Sequence, residues 1–309
     1  MSSLVFCGTP HFAVPTLERL VHAGFEVRLV VTQPDRPRGR GLVLAPSPVK
    51  QSALALNLPI TQPESIKNND EFRAQLTALT PEAIIVVGYG RIIPHWMIAL
   101  PRFGNINLHA SLLPKYRGAA PIQWAIARGE SMTGVTTMRI DAGLDTGDIL
   151  LQKEIAIEPT DTSETLAPTL AAIGADLVVE TLRGLQADTV RPQQQDDEKA
   201  TLAPILKKED GRIDFHFAAR EICNRLRGFQ PWPGASTTFR GKNLHVWEAE
   251  VSQKTIPPGE LLVGGDLLFV GCGGNSLALL EVQPEGKKHM AIRDFVHGYR
   301  PQTGEKMGS

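Results

Sequence analysis

Residues 4–32, LVFCGTPHFAVPTLERLVHAGFEVRLVVT, set the expected fold of the N-terminal half of the chain. The apolar run at 4–7 predicts a buried strand, and Gly8 opens the loop behind it. Residues 13–23 place their leucine side chains on one face at helical spacing. A second apolar strand follows at 27–32. Strand, helix and strand in this order predict an α/β domain with a Rossmann-like, mostly parallel sheet.

The composition is typical of a soluble globular protein. The chain has 309 residues, 42% of them hydrophobic and 21% charged, and a formal net charge of -1. This charge excludes a uniformly basic nucleic-acid-binding protein, although a local basic patch remains compatible with it. The three cysteines are far apart and form no C-x-x-C pair, which is typical of a reducing compartment. No apolar run approaches the ~20 residues of a membrane span, and no long apolar face requires a partner. We therefore expect a cytoplasmic monomer without membrane contact.

The chain length and a shift in composition predict two domains. Residues 188–205 include the polar stretch PQQQDDE and show no periodicity, as expected of a linker. Residues 1–187 would form the Rossmann-like domain. Residues 206–309 alternate turns with short apolar runs, at 236–239, 244–249, 259–263, 267–270 and 276–282. Five short strands with one or two helices predict a smaller β-barrel of the OB-like type.

Two polar side chains, Asn107 and His109, stand on a short strand in the stretch NINLHASLLP at 105–114. Because they are two residues apart, both emerge on the same face of an extended strand. An amide donor beside an imidazole can stabilise negative charge and move a proton. The alternative is a strand whose polar face is merely solvated or hydrogen-bonded. An all-apolar strand at 83–88 precedes this stretch, and ligands of open α/β sheets gather at the carboxyl ends of strands.

A tight acidic loop follows at 141–148, with the sequence DAGLDTGD. Aspartate and glycine populate turns for local reasons, so turn chemistry alone is one explanation of this composition. Calcium binding is another, although the EF-hand spacing and its closing glutamate are missing. A carboxylate from this loop could instead lie beside His109 and orient it, as the third group of a catalytic triad does.

A long irregular loop at 33–50 is basic. After Asp35 it contains no acidic residue, and its cations are Arg36, Arg38, Arg40 and Lys50. Proline restrains the backbone and arginine matches the geometry of phosphate, so the loop suits phosphate binding. A solvated flexible loop is the alternative.

Several common catalytic motifs are absent from the sequence. There is no G-x-S-x-G elbow, no Walker loop and no G-x-G-x-x-G, since Gly8 stands alone. The histidines form no H-x-x-x-H or H-x-H pair that would suit a metal. What remains is a metal-free site of asparagine, histidine and aspartate on an α/β domain. Such a site suits acyl transfer to an amine.

Three motifs, in order, resemble the 10-formyltetrahydrofolate-dependent formyltransferases. They are Asn107-x-His109, the sequence SLLPKYRG at 111–118, and GLDTG around Asp145. The flanking sequences resemble the branch of that family that acts on methionyl-tRNA: GTPxFA, QPDRP, GRG, PSPVK, GAAPIQ and PWP. The resemblance spans nearly the full chain and is weakest in the linker and after Lys288.

The resemblance implies an enzyme that transfers the formyl group of its cosubstrate, 10-formyltetrahydrofolate, to the α-amino group of methionine on initiator tRNA. Asn107 would donate a hydrogen bond to the oxyanion, and His109 would assist charge stabilisation and proton transfer. Asp145 would keep His109 oriented and favour its charged form. No metal is implied.

The resemblance also implies two kinds of binding surface. The folate would lie along the carboxyl edge of the sheet, held by Gly88, Tyr89, Ile92, Ser111, Leu112, Leu113, Pro114 and Asp141. The loop with Arg36, Arg38 and Arg40 would meet the acceptor arm of the tRNA. In the second domain, candidates for sugar–phosphate contacts are Lys207, Lys208, Arg220, Lys287 and Lys288.

Two alternatives remain from the sequence. The nearer one is a folate-dependent formyltransferase acting on a small amine, such as glycinamide ribonucleotide or a sugar amine. The basic loop and the second domain argue against it, because a small substrate needs neither. The other is a non-catalytic RNA-binding protein, which the complete set of Asn107, His109 and Asp145 disfavours.

Overall fold

The computed structural model describes residues 3–38 and 43–308. Among these residues, the helices are α1 (Val14–His22), α2 (Pro48–Ala55), α3 (Asp70–Leu79), α4 (His95–Ile98), α5 (Pro121–Ala127), α6 (Ser163–Gln186), α7 (Ala219–Gly228) and α8 (Ile292–Tyr299). The strands are β1 (Ser3–Gly8), β2 (Glu26–Val31), β3 (Arg36–Arg38), β4 (Val43–Ala45), β5 (Ile60–Thr61), β6 (Ala83–Val87), β7 (Asn105–His109), β8 (Arg117–Gly118), β9 (Met132–Arg139), β10 (Ile149–Ala156), β11 (Leu202–Ala203), β12 (Ser236–Phe239), β13 (Lys242–Ser252), β14 (Leu261–Gly264), β15 (Leu267–Gly271), β16 (Ser276–Pro284) and β17 (Met290–Ala291).

The N-terminal sheet is built on the apolar strands β1 and β6, whose residues are almost all buried. β1 pairs in parallel with β2 and β6, β2 with β5, and β6 with β7. β7 pairs with β9 in antiparallel orientation, and within the described residues the strand order is β10-β9-β7-β6-β1-β2-β5. Strands inside a parallel sheet are buried on both faces, so they are continuously apolar instead of alternating. The predicted Rossmann-like, mostly parallel sheet is confirmed.

The structure differs from the sequence-based expectation in the basic stretch at 33–50. β3 and β4 pair as antiparallel strands, which gives the two arms of the loop regular structure. α2 begins at Pro48, and the Ser47 hydroxyl accepts a hydrogen bond from the Lys50 N–H at 3.0 Å. A serine at the N-cap followed by proline is a common helix start, so this signal was present in the sequence. The irregular loop is therefore shorter than its proline and glycine content indicated.

α6 has 24 residues, with Pro168 inside it. By length and average composition it could cross a membrane, although Asp176 and Glu180 interrupt it, so it is not a continuous apolar run. Its alanine and leucine content explains this finding. In the structure 56% of the apolar stretch is buried. Leu108 of β7 packs against the helix at Gly174, and Thr181 shares a 2.7 Å hydrogen bond with Thr137 of β9. These contacts are those of a core helix in a globular domain.

The C-terminal residues form an antiparallel sheet with the order β12-β13-β16-β15-β14 over the described part of the chain. The end of the chain joins its two edges. The Met307 N–H donates to the Gly259 carbonyl just before β14, and the Gly308 N–H donates to the Thr238 carbonyl in β12. Pairing both edges in this way removes unpaired backbone groups. Phe295 of α8 is fully buried in the interior. The predicted C-terminal barrel is confirmed, and the short tail is part of it.

The described chain forms two compact units that interleave along the sequence. One contains Met1–Gly118, Thr133–Ile155 and Ala167–Ala203, and the other contains Ala119–Met132, Ala156–Leu166 and Pro204–Ser309. α5 belongs to the second unit, where Trp124 packs edge-to-face on Phe229 with ring centroids 5.3 Å apart. The Trp124 Nε1–H also donates to the Pro204 carbonyl at 2.8 Å. The linear division at residues 187 and 205 remains a prediction from composition.

Ile85 and Ile92 provide a matched test of the sheet core. Ile85 of β6 is 0% exposed, and Ile92 is 93% exposed. Ile85→Ala should lower the free energy of unfolding by about 2–5 kcal/mol, because it removes buried methyl groups and leaves a cavity. Ile92→Ala should change it by less than about 0.5 kcal/mol. Urea denaturation followed by circular dichroism measures both, and equal losses would contradict the core assigned to β6.

Candidate active site

The candidate site lies where neighbouring parallel strands reach one edge of the first sheet. In the sheet register, Gly8 pairs with Val87, and Val86 pairs with Asn107. The carboxyl ends of β1, β6 and β7 therefore lie side by side. β2 lies on one side of β1 and β6 on the other, so the strand order reverses at this point. Open α/β sheets bind their ligands at such a reversal.

His109 ends β7 and is 6% exposed. Its Nε2 lies 2.8 Å from the Tyr116 carbonyl oxygen. A carbonyl oxygen only accepts hydrogen bonds, so Nε2 carries a proton. Its Nδ1 lies 3.6 Å from Oδ2 of Asp145, which is longer than a hydrogen bond but close enough for charge interaction. The imidazole therefore turns Nδ1, the nitrogen that can gain or lose a proton, towards a carboxylate.

Asp145 reaches His109 through the acidic loop at 141–148. The Gly118 N–H donates to Asp145 Oδ2 at 2.8 Å, which fixes the direction of the carboxylate. Asp145 itself has a φ of 53°, a left-handed conformation that is uncommon outside glycine. Gly147 is buried, and a Cβ there would collide with the Arg139 carbonyl oxygen, so this position requires glycine. The loop is therefore held in one shape by contacts on both sides of Asp145.

Asn107 lies two residues before His109 on β7 and is half-buried. The alternation of a strand puts both side chains on the same face. Among the described residues, none forms a hydrogen bond with the Asn107 side chain. The neighbouring Asn105 differs, because its amide donates to the Met97 carbonyl at 2.8 Å. Buried polar groups normally have partners, so a half-buried amide without one is available to a ligand.

The turn at 111–114 is supported by β9 and β10. Thr136 Oγ1 donates to the Ser111 carbonyl at 2.6 Å and accepts from the Leu113 N–H at 3.2 Å. Gln152 Nε2 donates to the Leu113 carbonyl at 2.9 Å. Both ends of the turn are thus tied to neighbouring strands, which gives it a defined shape beside His109.

The residues expected to hold folate differ in how accessible they are. Five are at least partly accessible: the exposed Gly88, Ile92 and Asp141 and the half-buried Leu112 and Pro114. The other three, Tyr89, Ser111 and Leu113, are buried. The Tyr89 ring lies in the apolar core, and burial raises the pKa of its hydroxyl above the usual range. Its carbonyl already accepts from Gln33 Nε2 at 2.8 Å. The Ser111 hydroxyl donates to the Lys115 carbonyl at 2.6 Å. The Tyr89 ring and the Ser111 hydroxyl are therefore both engaged in the interior of the protein.

The residues expected to bind tRNA are exposed wherever the structure describes their side chains. These are Arg36, Lys207, Lys208, Arg220, Lys287 and Lys288. Arg40 and the side chain of Arg38 lie outside the described residues. Lys207, Lys208, Arg220, Lys287 and Lys288 all belong to the second compact unit. Exposure leaves their charges available to phosphates.

A cluster of polar side chains links the two ends of the basic stretch at 33–50. Lys50 Nζ lies 2.6 Å from Asp35 Oδ2, and Gln62 Nε2 donates to Asp35 Oδ1 at 2.8 Å. The same Gln62 nitrogen donates to the Gln33 carbonyl at 2.9 Å. The Lys50 hydrogen bond, followed by that of Gln62, holds the pKa of the Asp35 carboxyl below its ordinary value of 3.8. Asp35 directly precedes β3 and Lys50 lies in α2, so the cluster anchors both ends of the stretch.

Metal ligands and reactive thiols are not among the features of this site. Within 3–38 and 43–308, no group of three or more His, Cys, Asp or Glu side chains could hold a metal ion. The three cysteines are free, and burial raises the pKa of Cys223 to about 11 and that of Cys272 to about 12. Such thiols stay protonated at neutral pH and are poor nucleophiles. The groups at the sheet edge that can do chemistry are an amide, an imidazole and a carboxylate.

Three contributors to the site carry no recognisable signal in the sequence. Two are backbone groups, the carbonyl of Tyr116 and the N–H of Gly118. The third is Gln195, which lies in the polar stretch expected to be a linker, yet is 7% exposed and donates to the Asp145 carbonyl at 2.8 Å. A contact between residues so far apart in sequence leaves no local pattern in a single chain.

Two family models match this chain. One, described as formyl transferase, matches residues 1–182, and the other, described as formyl transferase, C-terminal domain, matches residues 205–300. The α/β fold with this site at its carboxyl edge is that of a formyl-transferring enzyme. The chain belongs to the formyl transferase family.

Two curated relatives carry the same, more particular name. The chain is 67% identical over 306 residues to the methionyl-tRNA formyltransferase of Koribacter versatilis, covering 99% of this chain and 98% of the relative. It is 62% identical over 309 residues to that of Acidobacterium capsulatum, covering 99% of each. A solved N-formyltransferase from Helicobacter canadensis, in complex with folinic acid and dTDP-3-aminofucose, has a TM-score of 0.66 at 19% identity. That match covers 92% of this chain and 100% of the other, and it shows the fold alone.

The Asp35 cluster predicts a pH-dependent contribution to stability. A carboxyl whose pKa is lowered in the folded state stabilises the protein above its unfolded pKa, and this contribution is lost as the pH falls through the folded value. Wild type should therefore exceed Asp35→Asn in urea midpoint at pH 6. The difference should shrink as the pH falls below about 4. When Asp35→Asn is introduced into a Lys50→Met protein, the change in urea midpoint should lose most of this pH dependence, because the cation is already absent. In the wild-type background, a difference between the two midpoints that is constant with pH would contradict the ion pair.

Proposed function

We propose that this enzyme transfers the formyl group of 10-formyltetrahydrofolate to the α-amino group of methionine on initiator tRNA, producing formylmethionyl-tRNA for translation initiation. The observation that carries the proposal is the site itself. His109 and Asp145 stand 3.6 Å apart, and Asn107, whose amide has no partner among the described residues, shares the strand face of His109. The identity of the tRNA substrate is supported by relatives at 62–67% identity over nearly the whole chain.

Formyl transfer to an amine requires a donor for the carbonyl oxygen, on which negative charge develops as the amine attacks. Asn107 supplies this donor through its side-chain N–H. The strand holds the amide in place before the reaction, so no reorganisation is needed when the charge appears. The two-sided pairing of β7 provides the rigidity that such preorganisation requires.

His109 takes the proton that the attacking amine loses as the new C–N bond forms. It gives this proton to N10 of the folate as the bond from N10 to the formyl carbon breaks, so that tetrahydrofolate leaves as a neutral amine. The Nε2 of His109 is engaged with the Tyr116 carbonyl, so Nδ1 is the position that accepts a proton. Asp145 Oδ2 stabilises the positive charge that the ring acquires, and the hydrogen bond from the Gly118 N–H keeps that oxygen in place. In this assignment Asn107 and His109 act on the reacting atoms, and Asp145 acts through His109.

The folate lies along the carboxyl edge of the sheet in our proposal. The exposed Ile92 side chain and the half-buried Leu112 and Pro114 offer apolar surface to a flat ring. Gly88 is exposed with a φ of 53°, and its lack of a side chain lets a ligand approach the backbone. Asp141 is exposed at the start of the acidic loop, where its carboxylate accepts from Thr146 Oγ1 at 2.8 Å.

The tRNA would be held by cationic side chains. Arg36, Arg38 and Arg40 would meet the acceptor arm, and Lys207, Lys208, Arg220, Lys287 and Lys288 would contact the sugar–phosphate backbone. We further propose that the enzyme is a monomer that works in the cytoplasm without contact with a membrane, because no long apolar face of the sequence requires a partner.

A substrate comparison with four proteins tests this function. Wild type is incubated with 10-formyltetrahydrofolate and either charged initiator tRNA, free methionine or a small amine such as a sugar amine. Transfer should be efficient only to the charged tRNA. Asn107→Ala and His109→Ala should each lower kcat by about 10²–10³ or more, because each removes a group that acts in the transition state. Asn68→Ala, at an exposed asparagine, is the matched control with normal turnover.

The outcomes separate the alternatives. Transfer to the small amine at least as efficient as to charged tRNA would favour the small-substrate formyltransferase. Wild-type turnover in Asn107→Ala would contradict the mechanism. Circular dichroism of every variant shows whether a lost activity comes with a lost fold.

Arg40→Ala tests the role of the basic stretch. Loss of one cation at a phosphate contact should raise the KM for charged tRNA and reduce its salt dependence, while folate binding stays within about twofold of wild type. Arg28→Ala removes an exposed arginine of β2 in the same unit and serves as the control. Equal losses for tRNA and folate in Arg40→Ala would argue against a tRNA contact at this position.

A further inference from the structure

One segment, residues 195–203, supports both of the groups that face His109. The first is the Tyr116 carbonyl. The Tyr116 N–H donates to the Thr201 hydroxyl at 2.9 Å, and the Thr201 N–H donates to the Pro114 carbonyl at 3.3 Å. The backbone around Tyr116 is therefore bound on the side away from the imidazole. This segment was expected to be a linker, but in the structure it is part of the surroundings of the site.

The second group is the Asp145 carboxylate, which the segment supports at Gly118. β11 pairs in parallel with β8, so Ala203 lies beside Gly118. Gly118 has a φ of 121°, and a Cβ on it would lie 2.7 Å from the Ala203 carbonyl oxygen. The pairing therefore depends on glycine here, and it aims the Gly118 N–H at Asp145 Oδ2.

Gln195 binds the acidic loop directly. Its Nε2 donates to the Asp145 carbonyl at 2.8 Å and to the Gly147 carbonyl at 2.7 Å. Its Oε1 accepts from Arg117 Nε at 3.0 Å and from Arg117 Nη2 at 2.8 Å. Both amide hydrogens and both lone pairs of the oxygen are thus used. The two carbonyls flank the residue whose carboxylate meets His109.

Burial makes this arrangement specific to glutamine. Gln195 and Arg117 are each 7% exposed, and a buried polar group left without a partner is costly. A glutamate at 195 would keep the contact with Arg117 but would turn an acceptor towards two carbonyls that need donors. Arg117 also has a second partner, Asp197 Oδ1 at 2.7 Å, so its charge remains paired if the glutamine changes.

We propose that Gln195 is a positioning residue for formyl transfer, which holds the loop at 141–148 so that the Asp145 carboxylate meets Nδ1 of His109. This proposal rests on the proposed function of the site. Gln195 acts through Asp145 and touches neither substrate, so its loss should lower kcat and leave the KM for charged tRNA nearly unchanged. The KM for folate should change less than kcat, because Asp141 lies in the same loop but is held by its own contact with Thr146. A residue that only stabilised the fold would change neither parameter in protein that remains folded.

The experiment compares wild type, Gln195→Glu and Gln194→Glu as full-length proteins. Gln194 is exposed, so its change adds the same charge one residue away without removing donors from the loop. Kinetics with 10-formyltetrahydrofolate and charged initiator tRNA are measured at a temperature where circular dichroism shows all three folded. Hydrogen–deuterium exchange of the amides at 141–148 is measured on the same samples.

Gln195→Glu should lower kcat by about 10- to 100-fold, because a small displacement of a catalytic group is costly. The KM for charged tRNA should stay within about threefold of wild type, and the KM for folate should change less than kcat. The amides at 141–148 should exchange faster in this variant only. Gln194→Glu should match wild type in every measurement. A normal kcat in Gln195→Glu, or a change confined to KM, would overturn the proposal.

Failure of the proposed function would look different. In that case wild type itself would not transfer the formyl group to charged tRNA. The exchange measurement then still decides the positioning role, because unchanged protection at 141–148 in Gln195→Glu would overturn it without any reference to turnover.

Discussion

The placement of one imidazole constrains most of the structure around the sheet edge. His109 is almost excluded from water, and its two nitrogens face a carbonyl and a carboxylate. A buried N–H without a partner costs about 1–3 kcal/mol, so the carbonyl must lie within hydrogen-bond distance of Nε2, and the carboxylate must lie close enough to Nδ1 to stabilise the charge that the ring gains with a proton. They come from different stretches of chain, the turn after β7 and the acidic loop after β9. Each must be held in one shape for the imidazole to be satisfied.

The sheet supplies the rigid part of this arrangement. β7 is paired in parallel with β6 and antiparallel with β9, and α6 packs on Leu108 from one face. Asn107 and His109 therefore stand on a strand fixed on both sides. Groups that act on a developing charge are most effective when they are in place beforehand. The loops beside the site are tied to the strands by side-chain hydrogen bonds such as those of Thr136.

How well the sequence predicts a feature depends on how far apart in the chain its interacting residues lie. Apolar runs identified β1, β2 and β6, and the short alternating runs identified β12 to β16, because these signals lie within one element. The helix start at Ser47 and Pro48 was equally local but was obscured by the surrounding prolines and glycines. α6 was long and apolar enough to resemble a membrane span, and only its packing on the sheet shows it as a core helix. The tail at 304–308 has no apolar pattern, and its place in the barrel depends on contacts with β12 and β14.

The candidate site also has features that depend on neighbouring residues and features that depend on residues far apart in the chain. Residue spacing placed Asn107 and His109 on one strand face, and the motif resemblance singled out Asp145, because side-chain identity is written directly in the chain. The approach of Asp145 to His109, the proton on Nε2, and the support from Gln195 and Gly118 follow from contacts between segments far apart in sequence. Side-chain chemistry and local periodicity are properties of neighbouring residues, whereas distances and hydrogen-bond partners exist only once the strands and loops have packed. The residue types of the site were therefore readable from the chain, and its geometry was not.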